Sequence, residues 1–103
     1  MVVTVASGHE LFLAGRLVGR SVADVRTALH AAVDAGTGRD LVVDVSGVEL
    51  VDTAGLGVLL GADRRAKAAG RRLVLRDASP RLMRIVRTAR VHRVLTFQVS
   101  LPS

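Results

Sequence analysis

Three observations predict a single α/β domain, a four- to five-stranded mixed sheet with about three main helices packed on it. Strand-like and helix-like stretches alternate along the chain, the pattern of one sheet with helices laid against it. The 103 residues suffice for one core and not for two. Half of them are hydrophobic, enough to fold rather than stay disordered. No internal repeat, linker or low-complexity stretch interrupts the pattern, so residues 1–103 read as one domain.

The elements follow in order. Val2 to Ala6 and Glu10 to Ala14 read as short strands. Ser7-Gly8 between them suits a tight turn, in which glycine would supply a positive φ. Ser21 looks like a helix N-cap, with Asp24 in the capping-box position. Over 21–35, Val22, Val25, Leu29, Ala32 and Val33 mark one buried stripe. Gly36 ends that helix, and Gly36-Thr37-Gly38 forms a loop. Leu41-Val42-Val43-Asp44-Val45 is nearly continuous in apolar residues, as expected of a central strand covered on both faces. A turn of small and polar residues then leads to Asp52-Thr53. A helix follows over 54–69, with Leu56, Leu59, Leu60 and Asp63 at helical spacing. Arg72 to Arg76 is the next strand. Ser79-Pro80 starts a helix over 79–89, a capping hydroxyl followed by proline at the first helical position. Its inner stripe is Leu82, Ile85, Val86 and Ala89. Val94 to Val99 is the last strand, and Leu101-Pro102-Ser103 a short tail.

Composition excludes several function classes. Phe12 and Phe97 are the only aromatic residues, with no Tyr or Trp to build a base-stacking platform. Without cysteine there is no disulfide framework, thiolate metal site or cysteine nucleophile. The apolar runs are far too short to span a membrane. Met1 leads into Val2-Val3-Thr4-Val5 with no charged segment, so no signal peptide is visible and a soluble, cytoplasmic protein is expected. Charge is unevenly spread. Residues 1–63 hold four basic residues against eight acids, whereas residues 64–103 hold eleven against Asp77 alone. The C-terminal third therefore carries a basic surface, open to three readings: a solvated face, an acidic partner, or a polyanion. No groove-reading motif accompanies it, and sequence-specific nucleic-acid binding is not expected.

Conventional catalytic sets are absent. His9, His30 and His92 are far apart and lack metal-ligand spacing. There is no Gly-x-x-x-x-Gly-Lys-Ser/Thr phosphate loop. The glycines of Gly55-Leu56-Gly57-Val58-Leu59-Leu60-Gly61 superficially resemble a dinucleotide fingerprint, but the third comes one place late. The stretch also begins ten residues beyond Val45, away from any strand-to-helix turn. No cofactor and no metal are expected. Each helical glycine still costs about 1 kcal/mol relative to alanine. Gly57 and Gly61, four apart, share a face. Either that face packs closely on the sheet, or it is an open strip that a partner's backbone can approach. Thr53, just before an apolar helical run, is by itself an ordinary capping residue.

The stretch from Asp44-Val45-Ser46-Gly47-Val48 through Asp52-Thr53-Ala54-Gly55-Leu56-Gly57 resembles the signature of the STAS family of sulfate transporters and anti-sigma factor antagonists. In that family a strand ends in Asp-x-Ser-x-Val, followed by Asp-Ser/Thr-x-Gly-Leu and a helix. The likeness continues through Gly70, Leu73-Val74-Leu75 and Ser79-Pro80, and more weakly through the N-terminal strands. The resemblance implies partner switching. An unphosphorylated antagonist binds an anti-sigma factor with serine/threonine kinase activity. Phosphorylation at the start of the second helix releases it, and a protein phosphatase resets it. Thr53 would be the phosphoacceptor, with Asp52, Thr53, Ala54, Gly55, Gly57 and Gly61 as the partner-binding set. The chain would be substrate and ligand rather than enzyme, and a monomer or weak homodimer. Two features depart from the pattern. Gly15-Arg16-Leu17-Val18 stands where many sigma antagonists carry a Gly-Glu-Leu-Asp-like stretch, and the basic C-terminal third has no counterpart in the resemblance. Val51-Asp52-Thr53-Ala54-Gly55-Leu56 also resembles the STAS subunit of bacterial ABC lipid transporters. That likeness implies docking on an ATPase subunit without any kinase.

Overall fold

The computed structural model describes residues 1–36 and 38–100. Strands β1 (Val2–Ser7) and β2 (Glu10–Leu17) form an antiparallel hairpin. A single 3-10 turn, Gly19–Ser21, leads into α1 (Val22–Ala35). Then come β3 (Leu41–Val51), α2 (Thr53–Ala68), β4 (Leu73–Arg76), α3 (Pro80–Thr88) and β5 (Thr96–Gln98). The sheet order is β1-β2-β3-β4-β5, parallel from β2 onward, so the sheet is mixed and five-stranded as expected. Each parallel step moves to the next strand in the same direction. Right-handed crossovers therefore place α1, α2 and α3 on the same face.

That face holds the core. Leu11, Val43, Leu75 and Phe97 lie in register across four strands. They join one apolar cluster with Leu29 and Val33 of α1, Leu59 and Ala62 of α2, and Leu82 and Val86 of α3. The opposite row of the sheet is Phe12, Asp44, Arg76 and Gln98. Here the structure departs from the sequence reading, because β3 is not covered by helices on both faces. Arg76 instead roofs that side, pairing with Glu10 at 2.7 Å and Asp44 at 3.0 Å and lying 5.4 Å from the Phe12 ring centroid. Asp44 also accepts from the backbone N–H and hydroxyl of Ser46, which gives the Asp-x-Ser pattern a physical role in the strand.

Several boundaries differ from the sequence reading. The turn expected after Val45 is continued strand: Gly47, Val48, Leu50 and Val51 pair with Ala14, Gly15, Arg16 and Leu17 through two register shifts. Gly47 permits this, since a Cβ there would stand 2.9 Å from that of Ala14. For the same reason β2 runs on to Leu17. At the C-terminal end β5 is shorter than expected, because Val94 and Leu95 bond back to the Val91 carbonyl in the turn after α3. The hairpin turn is Gly8–His9, and Gly8 does not take a positive φ. Ser21 stands at the start of α1 without capping it: its hydroxyl bonds to the Arg16 and Val18 carbonyls and accepts the Val18 N–H. Ser79 does cap α3, accepting the Leu82 N–H at 3.0 Å. Thr37 of the expected loop and the tail 101–103 lie outside the described residues.

Candidate functional site

The end of β3 and the start of α2 are separated by one residue, Asp52. Its backbone is extended, and its side chain caps the helix. Oδ1 accepts the Gly55 N–H at 2.8 Å, and Oδ2 accepts the Gly19 N–H at 3.0 Å. The Asp52 N–H donates to the Leu17 carbonyl at 3.3 Å. One carboxylate thus fastens the first turn of α2 to the loop after β2. Those backbone N–H groups, Gly55 first and then Gly19, hold its carboxyl below the usual aspartate range.

With Asp52 serving as the cap, Thr53 is free of that duty. It is the first residue of α2 and exposed, and its hydroxyl makes no hydrogen bond among the described residues. Ala54 beside it is exposed as well. Gly55, expected among the partner-binding residues, turns inward instead. A Cβ at this position would run into the Leu17 carbonyl oxygen and lie 2.9 Å from Leu17 Cγ, so its bare backbone lets α2 sit against β2. Gly57 and Gly61 settle the choice left open by the sequence. A Cβ at either would meet nothing within 4 Å, so this face does not pack on the sheet. Spaced four apart, Thr53, Gly57 and Gly61 form one outward strip with no side chain beyond Thr53.

Sequence reasoning missed a groove of about 440 Å³ between the start of α2 and α3. Val51, Asp52, Thr53 and Leu56 form one wall, and Arg84, Ile85, Thr88 and Ala89 the other. Ile85 and Ala89 were expected in the inner stripe of α3, yet Ile85 is half-buried and Ala89 exposed. The missed signal is the width of that stripe: only Leu82 and Val86 are needed to anchor this nine-residue helix in the core. Among the described residues no cluster of three metal-ligating side chains occurs.

A family model described as "Mlab, STAS domain" matches residues 3–97. The chain belongs to the STAS domain family. An anti-sigma F factor antagonist from Lysinibacillus sphaericus is 29% identical to this STAS chain over 73 residues, 71% of the chain and 62% of that relative. The chain thus matches less than two thirds of that relative's length. Two solved structures share the STAS fold. The anti-sigma factor antagonist SpoIIAA in its unphosphorylated form superposes with a TM-score of 0.70 at 18% identity, covering 97% of this chain and 88% of that one. The Bacillus cell fate determinant SpoIIAA in its phosphorylated form gives 0.69 at 20%, covering 97% and 90%.

Proposed function

We propose that this STAS domain is an anti-sigma factor antagonist that works by partner switching, with Thr53 as its phosphoacceptor. The observation that carries the reading is the division of labour at the start of α2. Asp52 caps the helix, which leaves the exposed Thr53 hydroxyl without a structural task. The relative from Lysinibacillus sphaericus and the two forms of SpoIIAA support it by name. In this mechanism the unmodified strip of Thr53, Gly57 and Gly61, with Asp52 and Ala54, binds an anti-sigma factor that is also a serine/threonine kinase. The Thr53 oxygen attacks the γ-phosphorus of kinase-bound ATP. The new P–O bond forms as the bond to ADP breaks, and the hydroxyl proton passes to a base of the kinase. About two negative charges then stand in the docking face, and the complex dissociates. A phosphatase restores the hydroxyl by hydrolysis. The chain itself is substrate and ligand.

A second reading, docking on the ATPase of a bacterial ABC lipid transporter, is favoured by the description of the matching family model, "Mlab, STAS domain". One experiment separates the two. The protein is incubated with its kinase partner and ATP and analysed by mass spectrometry, with Thr53→Ala and Thr53→Glu in parallel binding assays. Partner switching requires phosphate on Thr53, binding by Thr53→Ala that ATP no longer abolishes, and poor binding by Thr53→Glu. Phosphate elsewhere, or none with a kinase shown to bind, overturns it. Docking on a transporter ATPase, weakened by both substitutions and unaffected by phosphorylation, would favour the second reading.

A further inference from the structure

The basic surplus of the C-terminal third is concentrated at one place in the fold. Much of that third's positive charge is consumed internally. Arg65 pairs with Asp34, Lys67 with Asp63, Arg72 with Asp40, and Arg76 with Glu10 and Asp44. Arg71, only 4% exposed, spends its guanidinium on backbone carbonyls. The acidic first part of the chain and the basic stretch from 65 to 76 thus neutralise each other across the domain. What remains, apart from the exposed Arg64 on α2, is Arg81, Arg84 and Arg87 on α3, with Arg90 and Arg93 just beyond it. All five are exposed, and none lies within ion-pairing distance of a carboxylate among the described residues.

Arg84 is also a wall residue of the groove beside Thr53, opposite Val51 and Leu56 and next to Ile85. Its neighbours Arg81 and Arg87 stand one turn away on either side along α3. We propose that this groove docks an acidic, amphipathic segment of a partner protein, whose apolar side chains enter between α2 and α3 while its carboxylates pair with the α3 arginines. Complementary charge decides the class of occupant. A helix-in-groove partner presents apolar anchors three or four residues apart, with polar groups on its flanks. Here the α3 flank carries arginines without a carboxylate partner, while the one carboxylate of the opposite wall, Asp52, is already tied to the Gly55 and Gly19 N–H groups. A small-molecule site would need convergent buried polar groups, whereas no buried side-chain polar atom among the described residues lacks a partner. A polyanion would gain from the arginines but nothing from the apolar walls. The inference extends the docking role proposed above and does not require Thr53 to be phosphorylated. If Thr53 is phosphorylated, its charge enters the rim of the same groove and competes with the segment's carboxylates.

The test needs no kinase. The isotope-labelled full chain is titrated with a synthetic helical peptide of about 16 residues, with leucines at helical spacing and glutamates between them. Three controls are run: the same peptide with serine for leucine, one with lysine for glutamate, and a short DNA duplex alongside phosphatidylglycerol vesicles. The expected result is amide shifts at Leu56, Ile85 and Thr88 with the first peptide, and binding at least about tenfold weaker with either peptide control. An Arg84→Glu/Arg87→Glu double variant, both positions exposed, should keep its circular dichroism spectrum and lose the acidic peptide by a similar factor. It should gain affinity for the lysine peptide. The proposal is overturned if the serine peptide binds as well as the leucine one, or if the shifts map away from the groove. It is equally overturned if DNA or vesicles move the groove amides more strongly, or if sedimentation shows the groove closed by a second copy of the chain. Because no phosphorylation is involved, loss of phosphate on Thr53 and loss of peptide binding are separate results.

Discussion

Replacing Gly57 or Gly61 by alanine should stabilise the domain, whereas the same change at Gly55 should badly destabilise it. In a helix interior alanine is favoured over glycine by about 0.8–1.0 kcal/mol, chiefly because the unfolded chain loses less freedom. At Gly57 and Gly61 the new methyl meets nothing within 4 Å, so no packing penalty offsets that gain. Each variant should gain about 1 kcal/mol, which for a domain of this size raises the thermal midpoint by roughly 4–8 °C. At Gly55 the same propensity gain is overwhelmed. The methyl would overlap the Leu17 carbonyl oxygen, a backbone atom that also accepts the Asp52 N–H. Overpacking costs about 1–3 kcal/mol even where flexible side chains yield, and here backbone must move, so a net loss of at least about 2 kcal/mol is expected. The chain has no Trp or Tyr, so urea unfolding is best followed by far-ultraviolet circular dichroism. Stability changes should appear as midpoint shifts with an unchanged denaturant slope. Gly57→Ala and Gly61→Ala should also weaken partner docking while strengthening the fold, a combination that separates surface from core. A stability loss at Gly57 would mean that its face is packed after all. Wild-type stability for Gly55→Ala would remove the supposed contact with Leu17.

Two further predictions concern groups that lock the site and the fold. The Asp52 carboxyl titrates below its ordinary value of about 4 in the folded chain, so its stabilisation is fully present above that pH and fades as pH falls through the folded value. The fall in thermal midpoint from pH 6 down to about pH 2 should therefore be shallower in Asp52→Asn than in wild type, the rest of the slope coming from Asp34, Asp44 and Asp77, and equal slopes would count against the cap. Arg71 donates to the carbonyls of Ala32, Val33, Arg39 and Gly8, so Arg71→Met should cost about 3 kcal/mol or more, with Arg71→Lys recovering only part. A urea midpoint within error of wild type for Arg71→Met would refute that role.

The parts of the fold read correctly from sequence are those dictated by local chemistry. Ser79-Pro80 starts α3 because a capping oxygen and a proline at the first position satisfy the helix end by themselves. Val25, Leu29 and Val33 recur at helical spacing and face the core. Errors arose where distant residues decide. Ser46-Gly47 has turn composition, but pairing of Gly47 with Ala14 and of Val48 with Gly15 keeps it in the strand. α1 has no basic residue in its last turn, and its terminal carbonyls are instead met by Arg71 from after α2. No pattern in the chain announces that contact. The site shows the same division. Asp52 and Thr53 were legible as the helix start, yet the tie that the Asp52 carboxylate makes from there to the Gly19 loop was not. Gly55, Gly57 and Gly61 looked alike in sequence and were sorted only by the position of Leu17.

The bonds around Asp52 bear on how far a phosphoryl group at Thr53 could act on the rest of the domain. A helix N-terminus normally offers free N–H groups to an anion. Here the Gly55 N–H is already held by the Asp52 carboxylate, which also takes the Gly19 N–H from the neighbouring loop. To reach either donor a phosphate would have to displace a carboxylate, exchanging one charged hydrogen bond for another. Interaction with the exposed end of the helix is worth only about 0.3–1 kcal/mol, and repulsion from Asp52 works against it. Neither effect is large enough to unwind α2 or to draw it away from β2, where Gly55 seats it against Leu17. On the proposed reading, then, phosphorylation leaves the strip of Gly57 and Gly61 in place and changes only the charge at its head. Discrimination between the two forms falls to the partner, which must pay to desolvate and approach that charge, and a rigid domain suffices as its switch.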